Sequence, residues 1–111
     1  MIEIIVKKYL SSALEEQVFP EKPSRRIDSY VVIEKIGSDK NNHLPAATFV
    51  FQSYGKSLYE AAELNEKVKK AVEKLIELDE IRGVKLNSDY NFTDTTTKEY
   101  RYQAVFDIKY Y

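Results

Sequence analysis

The chain has no cysteine and no tryptophan, one histidine, three glycines and three prolines in 111 residues. Without cysteine there is no disulfide framework and no thiolate-based zinc or redox site, which fits a reducing compartment. The single histidine, His43, sits among Gly37, Asn41, Asn42 and Pro45. It reads as a solvated turn residue rather than a ligand or a base. No apolar run approaches the roughly 20 residues that a bilayer-spanning helix needs. The start, Met1-Ile2-Glu3-Ile4-Ile5-Val6-Lys7-Lys8, has an early acid and a short apolar run with no cleavage site, unlike a secretory signal. The expectation is a soluble protein made and kept in a cytoplasm. Charge of one sign is also missing: 17 basic against 18 acidic side chains leave a net charge of -1. A DNA-coating protein usually carries a basic excess, so bulk charge gives no push toward nucleic acid or membrane.

What the chain does have is tyrosine, nine of them, with five phenylalanines. Tyrosine joins a large apolar body to a polar tip; it suits half-buried sheet faces and subunit contacts, and equally the lining of a small core. The length implies one domain, 1–111, burying roughly 65% of its unfolded surface. Residues 2–16 are expected to be helical, because Ile2, Ile5, Tyr9 and Ala13 share a stripe that Val6, Leu10 and Leu14 widen. Val18-Phe19-Pro20 should end it, since proline disfavours helical geometry in the residue before it. A polar loop with basic Lys22, Arg25 and Arg26 follows within residues 18–29.

Tyr30–Ile36 is rich in β-branched residues and ends at Gly37, so it predicts a strand. Residues 37–45 are turn chemistry throughout, and Ala47–Tyr54 reads as a second strand, stopped by Gly55. The pair predicts an antiparallel hairpin whose outward tip carries Asp39, Lys40 and His43. Ser57 and Glu60 have capping-box spacing, and Leu58, Ala61, Leu64, Val68, Ala71, Leu75 and Leu78 then recur at helical intervals. About three heptads are near the minimum for a coiled coil, so packing against the chain's own sheet is the preferred use of this face. Val84, Leu86, Ser88, Tyr90 and Phe92 alternate with polar residues, as do Tyr100, Tyr102, Ala104, Phe106, Ile108 and Tyr110. Alternation of this kind marks an antiparallel sheet covered on one side. Tyr90, Tyr100 and Tyr102 are then expected on the covered face, with Lys85, Asn87, Asp89, Arg101, Gln103 and Asp107 on the open one. The order α-β-β-α-β-β predicts an α+β fold: a four-stranded antiparallel sheet with two helices packed on one face.

Few groups offer reactive chemistry. Asp89, Asp94 and Asp107 could hold a cation or move a proton only in a convergent cleft, and alternation points them outward as a solvated face. Gly55-Lys56-Ser57 lacks the upstream glycine of a P-loop; Gly55 ends a strand and Ser57 caps a helix. Lys22, Arg25 and Arg26 form a small basic patch. Arg101 stands between Tyr100 and Tyr102, an interleaving that can stack bases on a sheet, although alternation turns the tyrosines and the arginine to opposite faces. The pattern predicts no catalysis, no metal and no cofactor.

Several strings carry a family likeness: Tyr30-Val31-Val32-Ile33-Glu34; Phe51-Gln52-Ser53-Tyr54-Gly55-Lys56-Ser57; Ala61-Ala62-Glu63-Leu64 with Lys67-Val68; and Tyr90-Asn91-Phe92-Thr93-Asp94 with Tyr100-Arg101-Tyr102-Gln103-Ala104-Val105-Phe106. Together with the element order they resemble the tail-completion proteins, or tail terminators, that join tail to head in long-tailed phages and prophages. The likeness runs from about Phe19 to Tyr110 and includes no catalytic signature. It implies a virion structural protein, assembled in the host cytoplasm, that forms a ring, typically a hexamer, and passes DNA without reading its sequence. The implied partners are further copies of the chain, the tail-tube protein and a head-completion or connector protein, with no membrane. On this reading Lys22, Arg25, Arg26, Asp39, Lys40, His43 and Arg101 are candidate interface or lumen residues. The alternative is a small nucleic-acid-binding or regulatory domain using the 22–26 loop and the Tyr/Arg strand.

Overall fold

Apolar alternation over residues 47–54 and 100–110 is realised as the two central strands of one sheet. The computed structural model describes residues 1–41 and 44–111. Its elements are α1 (Ile2–Ala13), β1 (Gln17–Phe19), β2 (Tyr30–Asn41), β3 (Leu44–Gly55), α2 (Leu58–Glu73) continued by a 3-10 turn (Lys74–Glu77), β4 (Ile81–Asn91) and β5 (Tyr100–Tyr110). The strand order is β1-β2-β3-β5-β4. β1 runs parallel to β2 and every other pairing is antiparallel.

The sheet is therefore five-stranded and mixed, which corrects the expected four-stranded antiparallel sheet, and the order becomes α-β-β-β-α-β-β. The extra strand is Gln17-Val18-Phe19, expected to be the start of a loop. Three residues are too few to display a two-residue period. The outer edge of β2 recruits them: Val18 lies opposite Val31 and is buried in the main core, while Phe19 lies opposite Val32 on the other face. α1 also ends earlier than expected, because Leu14 is extended (φ -113, ψ 148) and turns the chain into β1.

β2 and β3 are 12 residues each. Pairing continues through Gly37↔Thr48, Ser38↔Ala47, Asp39↔Ala46 and Lys40↔Pro45, so most of the segment expected to be a turn is strand. The register shift between Lys35 and Gly37 leaves Ile36 as a bulge. Residues 37–40 are exposed, which lets glycine and polar side chains occupy a strand that ladder hydrogen bonds hold. His43 lies outside the described residues.

Both helices pack on one sheet face. Ile2, Val6 and Leu10 of α1 and Leu64, Val68, Ala71 and Val72 of α2 meet Val31, Ile33, Phe49, Phe51, Ala104, Phe106 and Ile108. Phe51 meets Phe106 edge-on at 5.7 Å and stacks near-parallel with Phe49 at 6.1 Å between ring centroids, both arrangements that aromatic quadrupoles favour. α2 starts at the expected capping box: Ser57 Oγ accepts the Glu60 N–H at 3.1 Å and the Glu60 carboxylate accepts the Lys56 N–H at 3.2 Å. Among the described residues no helix is long and apolar enough to cross a membrane.

Gly55, between β3 and this cap, permits a close approach. A Cβ there would lie 2.6 Å from the Ala61 nitrogen and 3.0 Å from the Glu60 carbonyl carbon, backbone atoms that cannot swing aside. Gly55→Ala is expected to destabilise the fold by about 1–3 kcal/mol, seen as a lower urea midpoint. Gly37→Ala, where the added Cβ meets nothing within 4 Å, should leave the midpoint close to that of the parent chain.

Candidate functional site

The register of β3 and β5 decides what the face away from the helices displays. Thr48, Val50, Gln52 and Tyr54 stand directly opposite Asp107, Val105, Gln103 and Arg101. Tyr100 and Tyr102 fall on the helix side, opposite Gly55 and Ser53. Tyr90, expected beside them, does not. A register shift between Leu86 and Ser88 makes Asn87 a bulge, so Tyr90 pairs with Gln103 and Asp89 with Ala104. One inserted residue exchanges the faces of everything beyond it. Asp89, expected on the solvated face, turns toward α2, where it accepts from Asn65 Nδ2 at 2.7 Å and Lys69 Nζ at 2.5 Å. Hydrogen bonds from Lys69 to Asp89 first, and then to Glu66, hold the Lys69 ammonium above the usual lysine range.

Tyr90 on the second face completes a directional chain of hydrogen bonds. Arg101 Nη1 donates to the Tyr54 hydroxyl at 3.2 Å, which donates to Gln52 Oε1 at 3.5 Å; Gln52 Nε2 donates to Gln103 Oε1 at 3.0 Å, and Gln103 Nε2 donates to the Tyr90 hydroxyl. Further along, Asp107 accepts from Thr48 Oγ1 at 2.8 Å and Asn87 Nδ2 at 3.1 Å. These bonds satisfy polar groups that are half-buried beside Val50 and Val105. The same face has a small apolar cluster of its own, with Phe19 and Ile27 packed on Tyr30, Val32 and Tyr54. The chain of hydrogen bonds contains no nucleophile activated by a base and no carboxylate pair. Among the described residues no three His, Cys, Asp or Glu side chains group to hold a metal.

A cleft of about 460 Å³ opens where β2 begins and β3 ends; its walls are residues 22–28, Tyr30, Tyr54–Lys56 and Thr97–Tyr100. Five lining residues are basic (Lys22, Arg25, Arg26, Lys56, Lys98) and two acidic (Asp28, Glu99), so the cleft is cationic in a chain of near-zero net charge. The antiparallel pairings build it. Tyr30 lies opposite Tyr54, and Gly55 opposite Tyr100, which brings the 22–28 loop, the start of α2 and the β4–β5 turn to one corner. That turn is closed by Asp94, whose Oδ1 accepts from the Thr96 and Thr97 N–H groups at 3.0 and 3.4 Å. Those two bonds hold its carboxyl below the usual carboxylate range. Lys98 then takes a left-handed conformation, φ 56, unique among the described non-glycine residues, and reaches the cleft wall.

Three of the sequence-predicted site residues, Lys22, Arg25 and Arg26, thus share this cleft. Lys22 is ion-paired with Glu99. Arg101 lies beside the cleft but is occupied: its Nε donates to the Phe92 carbonyl at 2.8 Å and its guanidinium lies 4.6 Å from the Phe92 ring centroid and 5.8 Å from that of Tyr54. It clamps the β4–β5 end. Asp39 and Lys40 line a separate groove with Lys85 and Lys109 at the far end of the sheet, roughly 30 Å away at about 3.4 Å per strand residue. Lys56 and Lys98 were not singled out by the sequence, because only tertiary pairing brings positions 22, 56 and 98 together. No protein-family model matches the chain, and a search of the curated proteins returns no significant match.

Tyr30 forms the cleft's inner wall, stacked on Tyr54 at 4.4 Å with the rings 10° from parallel. Burial first, then the neighbouring Tyr54 and Glu99, pushes its hydroxyl up to about 12 from 10.0. A group with a raised folded value contributes stability fully below its unfolded value and loses it as pH rises through the folded one. Stability should therefore fall between pH 10 and about 12 as the unfolded chain alone ionises this hydroxyl. In urea titrations across that range Tyr30→Phe should show a shallower decline than the parent chain; an identical decline would assign the alkaline loss elsewhere.

Proposed function

We propose that this chain is a virion structural protein of a long-tailed phage or prophage, one that terminates the tail tube and joins the tail to the head connector by ring assembly, without catalysis. The observation that carries this reading is a sheet with two different free edges. Among the described residues no strand flanks the outer edge of β4, and the outer edge of β2 is covered only over Tyr30–Val32, by three-residue β1. Leu86, Tyr90 and Phe92 are 44, 41 and 42% exposed on β4 and just beyond its end, and Ile36 is 57% exposed on β2. Unpaired backbone groups flanked by apolar side chains invite another chain. Joining unlike edges is a heterologous contact, which closes into a ring when the rotation allows. The resemblance set out from the sequence supplies the biological setting: further copies in a ring of about six, the tail-tube protein and a connector protein as partners, DNA in passage, and the virion or the host cytoplasm during assembly as location.

Light scattering on the purified chain, alone and mixed with its cognate tail-tube protein, tests the proposal. A ring-sized oligomer is expected in at least one condition, and a lysine on each free edge, Leu86→Lys with Ile36→Lys, should return it to monomer with unchanged circular dichroism. A chain that stays monomeric throughout and binds neither tail-tube nor connector protein overturns it. Salt-dependent DNA binding by such a monomer would instead favour the small nucleic-acid-binding domain.

A further inference from the structure

Among the basic residues at this corner, Lys22 and Arg101 are ion-paired with Glu99, whereas Arg25, Arg26, Lys56 and Lys98 form no ion pair with another described residue. All four line the same cleft. Four unneutralised cations so close together repel one another, and an anionic ligand relieves that repulsion. We infer that the cleft is a docking site for the phosphodiester backbone of duplex DNA, bound without regard to sequence.

Three observations select this ligand. First, the cations come from three separate segments (the 22–28 loop, the approach to α2, and the β4–β5 turn) and are spread around an open rim. That distribution matches a line of charges better than a single small anion. Second, the stacked tyrosine pair of the cleft wall offers no platform for a base. Tyr30 and Tyr54 are 6% and 4% exposed and stacked on each other, so neither presents a face to a base. Phosphate contact without base contact positions a protein on a duplex but reads no sequence. Third, the α2 N-terminus is a poor seat for an isolated anion: Ser57 Oγ accepts the Glu60 N–H, and the Glu60 carboxylate already lies on the Lys56 N–H just before the helix. The field of the cleft is therefore that of its side chains: five cations on its walls against Asp28 and Glu99, which Lys22 engages, with the Glu60 carboxylate beside Lys56. Where the cleft points rests on the ring reading: in a ring that passes DNA, this corner of each subunit faces the lumen and the Asp39–Lys40 arm lies away from it.

Fluorescence anisotropy with short labelled duplexes of unrelated sequence, titrated against salt, tests the inference. Binding is expected to be equal across sequences at low salt and to weaken with a log–log slope of about −3.6, since each of four phosphate contacts contributes about 0.9. Arg25→Glu with Arg26→Glu should abolish retention. Lys56→Gln with Lys98→Asn, which keeps a residue tolerant of positive φ at 98, should reduce the slope by about 2. Failure of the parent chain to bind at low salt overturns the inference, and so does binding unchanged in both double variants. Displacement of the duplex by poly-glutamate at equal charge concentration would also overturn it, by making the ligand an acidic polypeptide. Light scattering on the same samples separates the two ideas. Rings that bind no DNA leave the ring reading standing and sink this one, while DNA-binding chains that never assemble do the reverse.

Discussion

The register between β3 and β5 is the constraint on which the rest of this structure depends. Ten consecutive pairs, from Ala46↔Lys109 to Gly55↔Tyr100, run without a bulge at the centre of the sheet. In that register Phe49 stands opposite Phe106 and Phe51 opposite Ala104 beneath the helices, while Val50, Gln52 and Thr48 meet Val105, Gln103 and Asp107 on the other face. Side chains alternate with a period of two, so a slip of one residue would drive Phe106 out of the core and Asp107 into it. The strands on either side carry the irregularities instead: one register shift in the β2–β3 pairing and two in the β4–β5 pairing. A regular centre with bulged flanks lets the flanks bend and re-aim their side chains without disturbing the aromatic core.

That division accounts for where surface chemistry lies. The bulge at Asn87 sends Tyr90 to the second face, where it ends the hydrogen-bond chain from Arg101, and sends Asp89 to α2, where it ties Asn65 and Lys69. The second face is thereby neither a bare polar surface nor a core; it is a half-buried layer whose polar groups bond mainly to one another. What remains available to partners is peripheral: two unlike edges, the long β2–β3 arm, and the cationic corner where three chain segments meet. On the proposed function these are the surfaces that assembly and a charged polymer would use.

Much of the fold was legible along the chain. The stripe from Leu64 to Leu75, the Ser57–Glu60 cap and the alternation through Tyr100–Tyr110 each express a local period or a local hydrogen bond, and each appears where its residues imply. The misreadings share one cause. Gln17–Phe19 became a strand because a neighbouring edge was free, and residues 37–41 became strand because a partner strand lay alongside. Neither event has a local signature. Asn87 misled for a related reason: alternation read through Val84, Leu86, Ser88, Tyr90 and Phe92 is unbroken in composition, and a bulge that breaks it in space leaves no mark when both flanking residues are compatible with either face.

The candidate site divides in the same way. Lys22, Arg25 and Arg26 are visible as a basic patch because they are close in sequence, whereas Lys56 and Lys98 look like an unremarkable cap and turn. By itself the sequence determined which segments carry a periodic apolar face, where α2 begins, and that no cysteine or histidine cluster is available for chemistry. Only the tertiary structure decided the fifth strand, the face on which Tyr90 and Asp89 lie, and the gathering of five basic residues around one cleft. Helix caps and apolar periods depend on residues within a turn or two of each other. Edges, bulges and clefts depend on which distant backbones exchange hydrogen bonds, and that choice is made by the whole core at once.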